Sequence, residues 1–186
     1  MEEIMDSFVR WAAESGSGLE HLVIRQESNV VVAEGFVIGD RFGAGYAAHY
    51  RIEVAQDWSV RKVSVVLADG RMLSVSADGT GAWRDTDGKA LPLLDGCIDV
   101  DISATPFSNS LPIKRLALNE GERRKIRVAY LAIPDLTIDA VDQAYTCLEP
   151  GRRYRYEGLF REFESELCID EHGLVEDYPS LFRRVR

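Results

Sequence analysis

Two carboxylates, Asp99 and Asp101, stand two residues apart in the segment from Asp95 to Leu116, DGCIDVDISATPFSNSLPIKRL. Side chains alternate along an extended chain, so Cys97, Asp99 and Asp101 share one face while Ile98, Val100 and Ile102 share the other, with the two Asp Cα atoms ~6.6 Å apart. Adjacent carboxylates are costly unless water, hydrogen bonds or cations take up their charge. Three readings follow: a solvated outer face, a grip on the hydroxyls of a sugar-like ligand or on an Arg side chain, or the acid and base of glycoside chemistry. The third is the weakest, because carboxylates on one strand point the same way, whereas glycosidases set theirs on opposite sides of the bond.

Downstream, Thr105-Pro106-Phe107 and Leu111-Pro112 interrupt β pairing, since proline lacks the amide donor that a central strand needs. Between them Ser108, Asn109 and Ser110 are expected on an irregular segment that either lines a pocket entrance or only connects parts of a sheet. Aromatic residues gather late in the chain, at Tyr130, Tyr145, Tyr154, Tyr156, Phe160, Phe163 and Tyr178. Arg152, Tyr154 and Tyr156 share one strand face, with Arg153 and Arg155 on the other. Rings with hydroxyl tips suit the boundary between an apolar cavity and a polar headgroup, and they equally suit ordinary cross-strand core pairs.

Other chemistry finds little support. The string Gly43-Ala44-Gly45-Tyr46-Ala47-Ala48 fits GxGxxA, but a dinucleotide site needs a helix after it, and His49 to Val54 alternates as a strand. His21, His49 and His172 lie far apart, and Cys97, Cys147 and Cys168 contain no CxxC pair, so no metal site, disulfide framework or other cofactor is implied. No GxSxG elbow is present. The 22 Lys and Arg against 31 Asp and Glu give a net charge of −9, which repels phosphate backbones and argues against nucleic acid as a partner. The first eleven residues carry Glu2, Glu3 and Asp6 where a secretory signal would carry cations, and no apolar run reaches the ~18 residues of a membrane span. A cytoplasmic protein without membrane insertion is expected.

The elements that must position these residues are mainly strands. Asp-Gly turns at Asp69-Gly70, Asp78-Gly79, Asp87-Gly88 and Asp95-Gly96 predict a hairpin meander. Alternation predicts strands over 46–54, 60–67, 71–77, 97–102, 125–133, 137–148, 154–160 and 163–169. Ile4, Met5, Phe8, Val9 and Ala12 sit at helical spacing and predict a short N-terminal helix over 2–14, the only substantial one. With no helical crossover expected in the middle, the reading is an all-β, mainly antiparallel spiral β-roll or half-barrel, with 1–18 as a helical extension and 19–186 as a single domain.

The run from Gly96 to Leu116 resembles the signature of the Putative glycolipid-binding family, formerly a bacterial domain of unknown function. His49-Tyr-Arg-Ile52, Trp58-Ser-Val-Arg-Lys-Val63, Ile126-Arg-Val-Ala-Tyr130 and the stretch Gly173 to Arg184 are similar to that family too. The resemblance covers roughly residues 19 to 185 and leaves Met1 to Ser15 outside. It implies a rolled antiparallel sheet that cradles a lipid or glycolipid, and it carries no catalytic residues. The expected site is an elongated apolar pocket on the concave side. Its candidate ligand-binding residues are Asp99, Asp101, Asn109, Arg115, Tyr130, Tyr154 and Tyr156. The alternative is an enzyme acting on a glycoside-like or lipid-like substrate through Asp99 and Asp101. A third reading is a protein-interaction module that uses an exposed sheet edge.

Overall fold

The computed structural model describes residues 7–41 and 43–185. They form one 14-stranded sheet, not closed into a barrel, and one short α-helix, with 59% of residues in strands. The first half of the chain is a meander: β1 (Ser7–Ala13), β2 (Leu19–Glu27), β3 (Val30–Arg41), β4 (Ala44–Ala55), β5 (Val60–Leu67), β6 (Met72–Ala77) and β7 (Trp83–Arg84). The chain then crosses to β8 (Asp99–Ile102) and the helix α1 (Phe107–Leu116). It returns through β9 (Arg123–Ala132), β10 (Thr137–Glu149), β11 (Arg153–Gly158), β12 (Phe163–Ile169), β13 (Val175–Tyr178) and β14 (Phe182–Val185), and β14 pairs with β1. The edge strands are therefore β7 and β8. No helix among the described residues is long and apolar enough to cross a membrane.

Alternation and turn chemistry account for most of this. On β4 the inward residues Ala48, Tyr50, Ile52 and Val54 are buried, and Gly70, Gly79, Gly88 and Gly96 all take the positive φ that the Asp-Gly turns require. The segment after the GxGxxA string is strand β4, as the alternation requires. Rolling brings the region of β7 against the chain entering β8, where Trp83 Nε1 donates to the Cys97 carbonyl at 2.8 Å and the Gly96 amide donates to the Gly81 carbonyl at 2.9 Å. A Cβ on Gly81 would lie 2.9 Å from the Gly96 Cα, so this seam needs a glycine.

Three expectations are corrected. Residues 7–13 form strand β1, not a helix, and residues 1–6 of the expected helix lie outside the described residues. The apolar residues there satisfy both periods. As a strand, Val9 and Trp11 point inward, and both neighbours, β2 and β14, supply backbone hydrogen bonds that an isolated helix would make internally. The single described α-helix instead spans Phe107–Leu116, in the stretch expected to be irregular. Pro106 stands at its N-cap, where no amide donor is required, and burial of Phe107 through Ile113 overrides the cost of Pro112 inside it. Third, the sheet is mainly antiparallel as expected, but the middle of the chain does hold a helical crossover, because β8 and β9 pair in parallel. A parallel pair needs a crossover of a dozen or more residues, and the stretch containing α1 provides it.

Candidate functional site

The concave side of the roll, where an elongated apolar pocket is expected, is filled by side chains. Trp11, Tyr50, Trp83, Leu94, Phe107 and Leu111 belong to one buried cluster, and Tyr145, Tyr154, Tyr156, Leu167 and Tyr178 to a second. Helix α1 gives Phe107 and Leu111 to the first and Ile113 to the second.

The two Asp residues of β8 hold this helix. Both Nε and Nη2 of Arg115, in the last turn of α1, donate to Asp99 at 2.9 and 2.6 Å. Ser108 Oγ, in the first turn, donates to Asp101 Oδ1 at 3.1 Å, and Gln143 Nε2 donates to Asp101 Oδ2 at 2.5 Å. Burial pushes both carboxyls above their ordinary range, and the Arg115 fork and the Gln143 and Ser108 donors pull them back. Asn109 Nδ2 donates to Tyr145 Oη at 2.9 Å, and Ser110 Oγ accepts the Val175 amide at 3.2 Å. Successive polar residues of α1 thus bond it to the surrounding strands.

The cavity lies at the rim, where the β1–β2 turn, the end of β3 and the chain after β8 meet, and it measures about 320 Å³. Trp11, Val37, Ala104, Ile133 and Phe182 give it apolar walls, while Ser17, Arg41, Tyr46, Ser103, Tyr130 and Arg161 give it polar ones. Arg41 Nη1 donates to Ser103 Oγ at 2.8 Å and to the Ile133 carbonyl at 3.1 Å, and Nη2 reaches Tyr130 Oη at 3.5 Å. The Arg161 guanidinium stacks 4.5 Å from the Phe160 ring and 5.2 Å from that of Tyr130.

Glu20 also lines this cavity and is 2% exposed. Tyr50 Oη and Thr105 Oγ1, the latter at 2.7 Å, both donate to its Oε1, while Oε2 is buried without a partner among the described residues. Burial pushes its carboxyl up to about 8, against the opposing pull of the Tyr50 and Thr105 hydroxyls. Glycine makes the arrangement possible: a Cβ on Gly35 would lie 2.3 Å from the Tyr50 ring, which crosses β3 there to reach Glu20.

A second concavity of about 470 Å³, almost wholly apolar, opens on the outer face of β2 to β5. Leu19, Phe36 and Ile38 line it and are 45%, 59% and 57% exposed. The register aligns His21, Phe36, His49 and Val66 in one row across four strands, and the Phe36 and His49 rings stack at 4.5 Å. Leu19, Val37 and Ile38 line both concavities, with Leu19 directly opposite Ile38 in the ladder.

Of the residues singled out from sequence, Tyr130 lines the rim cavity. Asp99 pairs with Arg115 of α1, Asp101 and Asn109 bond Gln143 and Tyr145 of β10, and Tyr154 and Tyr156 lie in the second core. None of these six lines either concavity. Glu20 was missed. Its signal was present: on β2 the inward positions read Glu20, Leu22, Ile24, placing an ionisable group in the buried register of an alternating strand. Among the described residues no group of three or more His, Cys, Asp or Glu converges as a metal site would require.

The chain matches the model of the family described as Putative glycolipid-binding over residues 8–184, which includes most of β1 and so corrects the expectation that the stretch up to Ser15 lies outside. The crystal structure of a DUF1089 family protein from Pseudomonas aeruginosa, at 1.80 Å resolution, is similar, with a TM-score of 0.82 and 38% identity over 100% of this chain and 97% of that one. No curated protein matches.

Proposed function

The chain belongs to the Putative glycolipid-binding family, and from that premise we propose that it binds a lipid or glycolipid at the rim of the roll rather than within it. The polar head enters the rim cavity, among Arg41, Tyr130, Arg161 and Glu20, and the apolar part lies along the outer groove over Phe36 and Ile38. The observation that carries this reading is the meeting of a half-polar cavity and an apolar groove at the Leu19/Ile38 pair. Ligand pockets commonly measure ~300–1,000 Å³, so the cavity alone suits a headgroup and the groove supplies surface for a chain. Exposed apolar side chains in contiguous rows across a sheet mark a surface that gains free energy when covered.

Mass spectrometry of small molecules released from natively purified protein tests the proposal. The expected result is a stoichiometric amphipathic molecule, lost from Ile38→Asp and retained by Asp99→Asn. Protein that releases no lipid and binds neither octanoyl glycerol nor octyl glucoside would sink it.

A further inference from the structure

We propose that Glu20 recognises the polar head as a neutral carboxylic acid, its Oε2 hydroxyl donating a hydrogen bond to an acceptor oxygen of the bound molecule. The proposal rests on the rim cavity being the ligand site and adds the group that reads the head. The placement of the proton follows from the donors already present. Tyr50 Oη and Thr105 Oγ1 both point at Oε1, and Thr105 Oγ1 itself accepts the Phe107 amide at 3.1 Å, so Oε1 acts as the carbonyl acceptor. The proton therefore belongs on Oε2, the atom that has no partner among the described residues. A buried donor without an acceptor is a site waiting for one, since native proteins satisfy nearly all such groups. Burial of the whole side chain keeps the acid neutral at pH 7, with its carboxyl at about 8.

The surroundings define which groups could titrate beside it. Tyr50 and Tyr46 of β4 interact with it, Asp40, Arg41, Tyr130 and Arg161 line the same cavity, and Trp11 of β1 is its partner in the ladder. Above pH 8 the Glu20 proton leaves, and a carboxylate repels the same acceptor oxygen that the acid bound. Affinity should therefore fall by about tenfold per pH unit above 8. The acceptor is either an ester carbonyl or a sugar oxygen. Octanoyl glycerol offers the first, and octyl glucoside offers only the second.

Titration calorimetry with each probe between pH 6 and 10 tests this on the full chain, beside Glu20→Gln and Glu20→Leu. The Gln amide keeps a donor at the Oε2 position and does not titrate, so its affinity should stay flat with pH; the Leu variant should bind at least tenfold more weakly at pH 6. An infrared carboxylic-acid band that disappears between pH 6 and 10 and is absent from Glu20→Gln reports the proton itself, without any ligand. A carboxyl that ionises near the ordinary 4.5 overturns the proposal whatever binds. Wild-type binding that is unchanged with pH, or a Gln variant that keeps a wild-type pH dependence, overturns the role of Glu20 and leaves the cavity standing as a site. Absence of binding by both probes with the infrared titration intact overturns the cavity reading and the recognition role with it.

Discussion

Asp99 and Asp101 on β8 and Glu20 on β2 are buried to similar depth, and burial pushes all three carboxyls up, yet the strands around them treat them differently. Every oxygen of the β8 pair has a donor, and those donors come mainly from α1, so the pair ties a helix to the sheet. Glu20 is satisfied at one oxygen only and borders a cavity. A buried acid is therefore read by what remains unpaired on it. A fully bonded carboxylate stabilises packing, whereas a half-bonded one leaves chemistry available to a ligand.

The largest effect should come from breaking the β8 clamp. Arg115→Ala leaves Asp99 buried with no cation and should cost about 3–5 kcal/mol in urea denaturation. A loss below about 1 kcal/mol would show that water reaches Asp99 and that the pair holds nothing.

Next comes the pH dependence of Glu20. Its folded-state carboxyl, at about 8, is raised above the ordinary 4.5, so its stabilising contribution is fully present below pH 4.5 and is lost as pH rises through 8. The stability of wild type relative to Glu20→Gln should therefore fall across that window, by up to about 5 kcal/mol at 1.36 kcal/mol per unit. Parallel stability curves for the two proteins would show that the Glu20 carboxyl ionises near its ordinary value in the folded protein.

Asp101→Asn is a smaller perturbation that tests whether both of its oxygens are used. One of the donors from Ser108 and Gln143 then faces an amide nitrogen, at a cost of about 1–3 kcal/mol in the same denaturation assay. An unchanged midpoint would mean that one of those bonds is dispensable.

The smallest stability effect belongs to the groove. Ile38→Ser lies on an exposed face and should leave the denaturation midpoint within about 0.5 kcal/mol of wild type while weakening binding of octyl glucoside. Equal binding by both proteins would remove the groove from the site.

The local architecture follows from the order of residues alone. The strand limits 60–67 and 163–169 match β5 and β12, and the inward face of β4 was legible from alternation. Asp-Gly pairs located four turns because positive φ at glycine is a property of a few adjacent atoms. The pairing of a carboxylate with an Arg side chain was among the readings of the Asp99 and Asp101 spacing, but the partner could not be named from it. Long-range packing makes Phe107 to Leu116 a helix, Ser7 to Ala13 a strand and Glu20 the acid beside a cavity. Each of these depends on partners far along the chain. Burial against two cores overrides the prolines of α1, β14 supplies the second ladder for β1, and Tyr50 and Thr105 reach Glu20 only once the sheet has rolled. Alternation and turn chemistry act between neighbours and can be read in order, whereas burial and hydrogen-bond satisfaction are set by which distant segments the roll brings together.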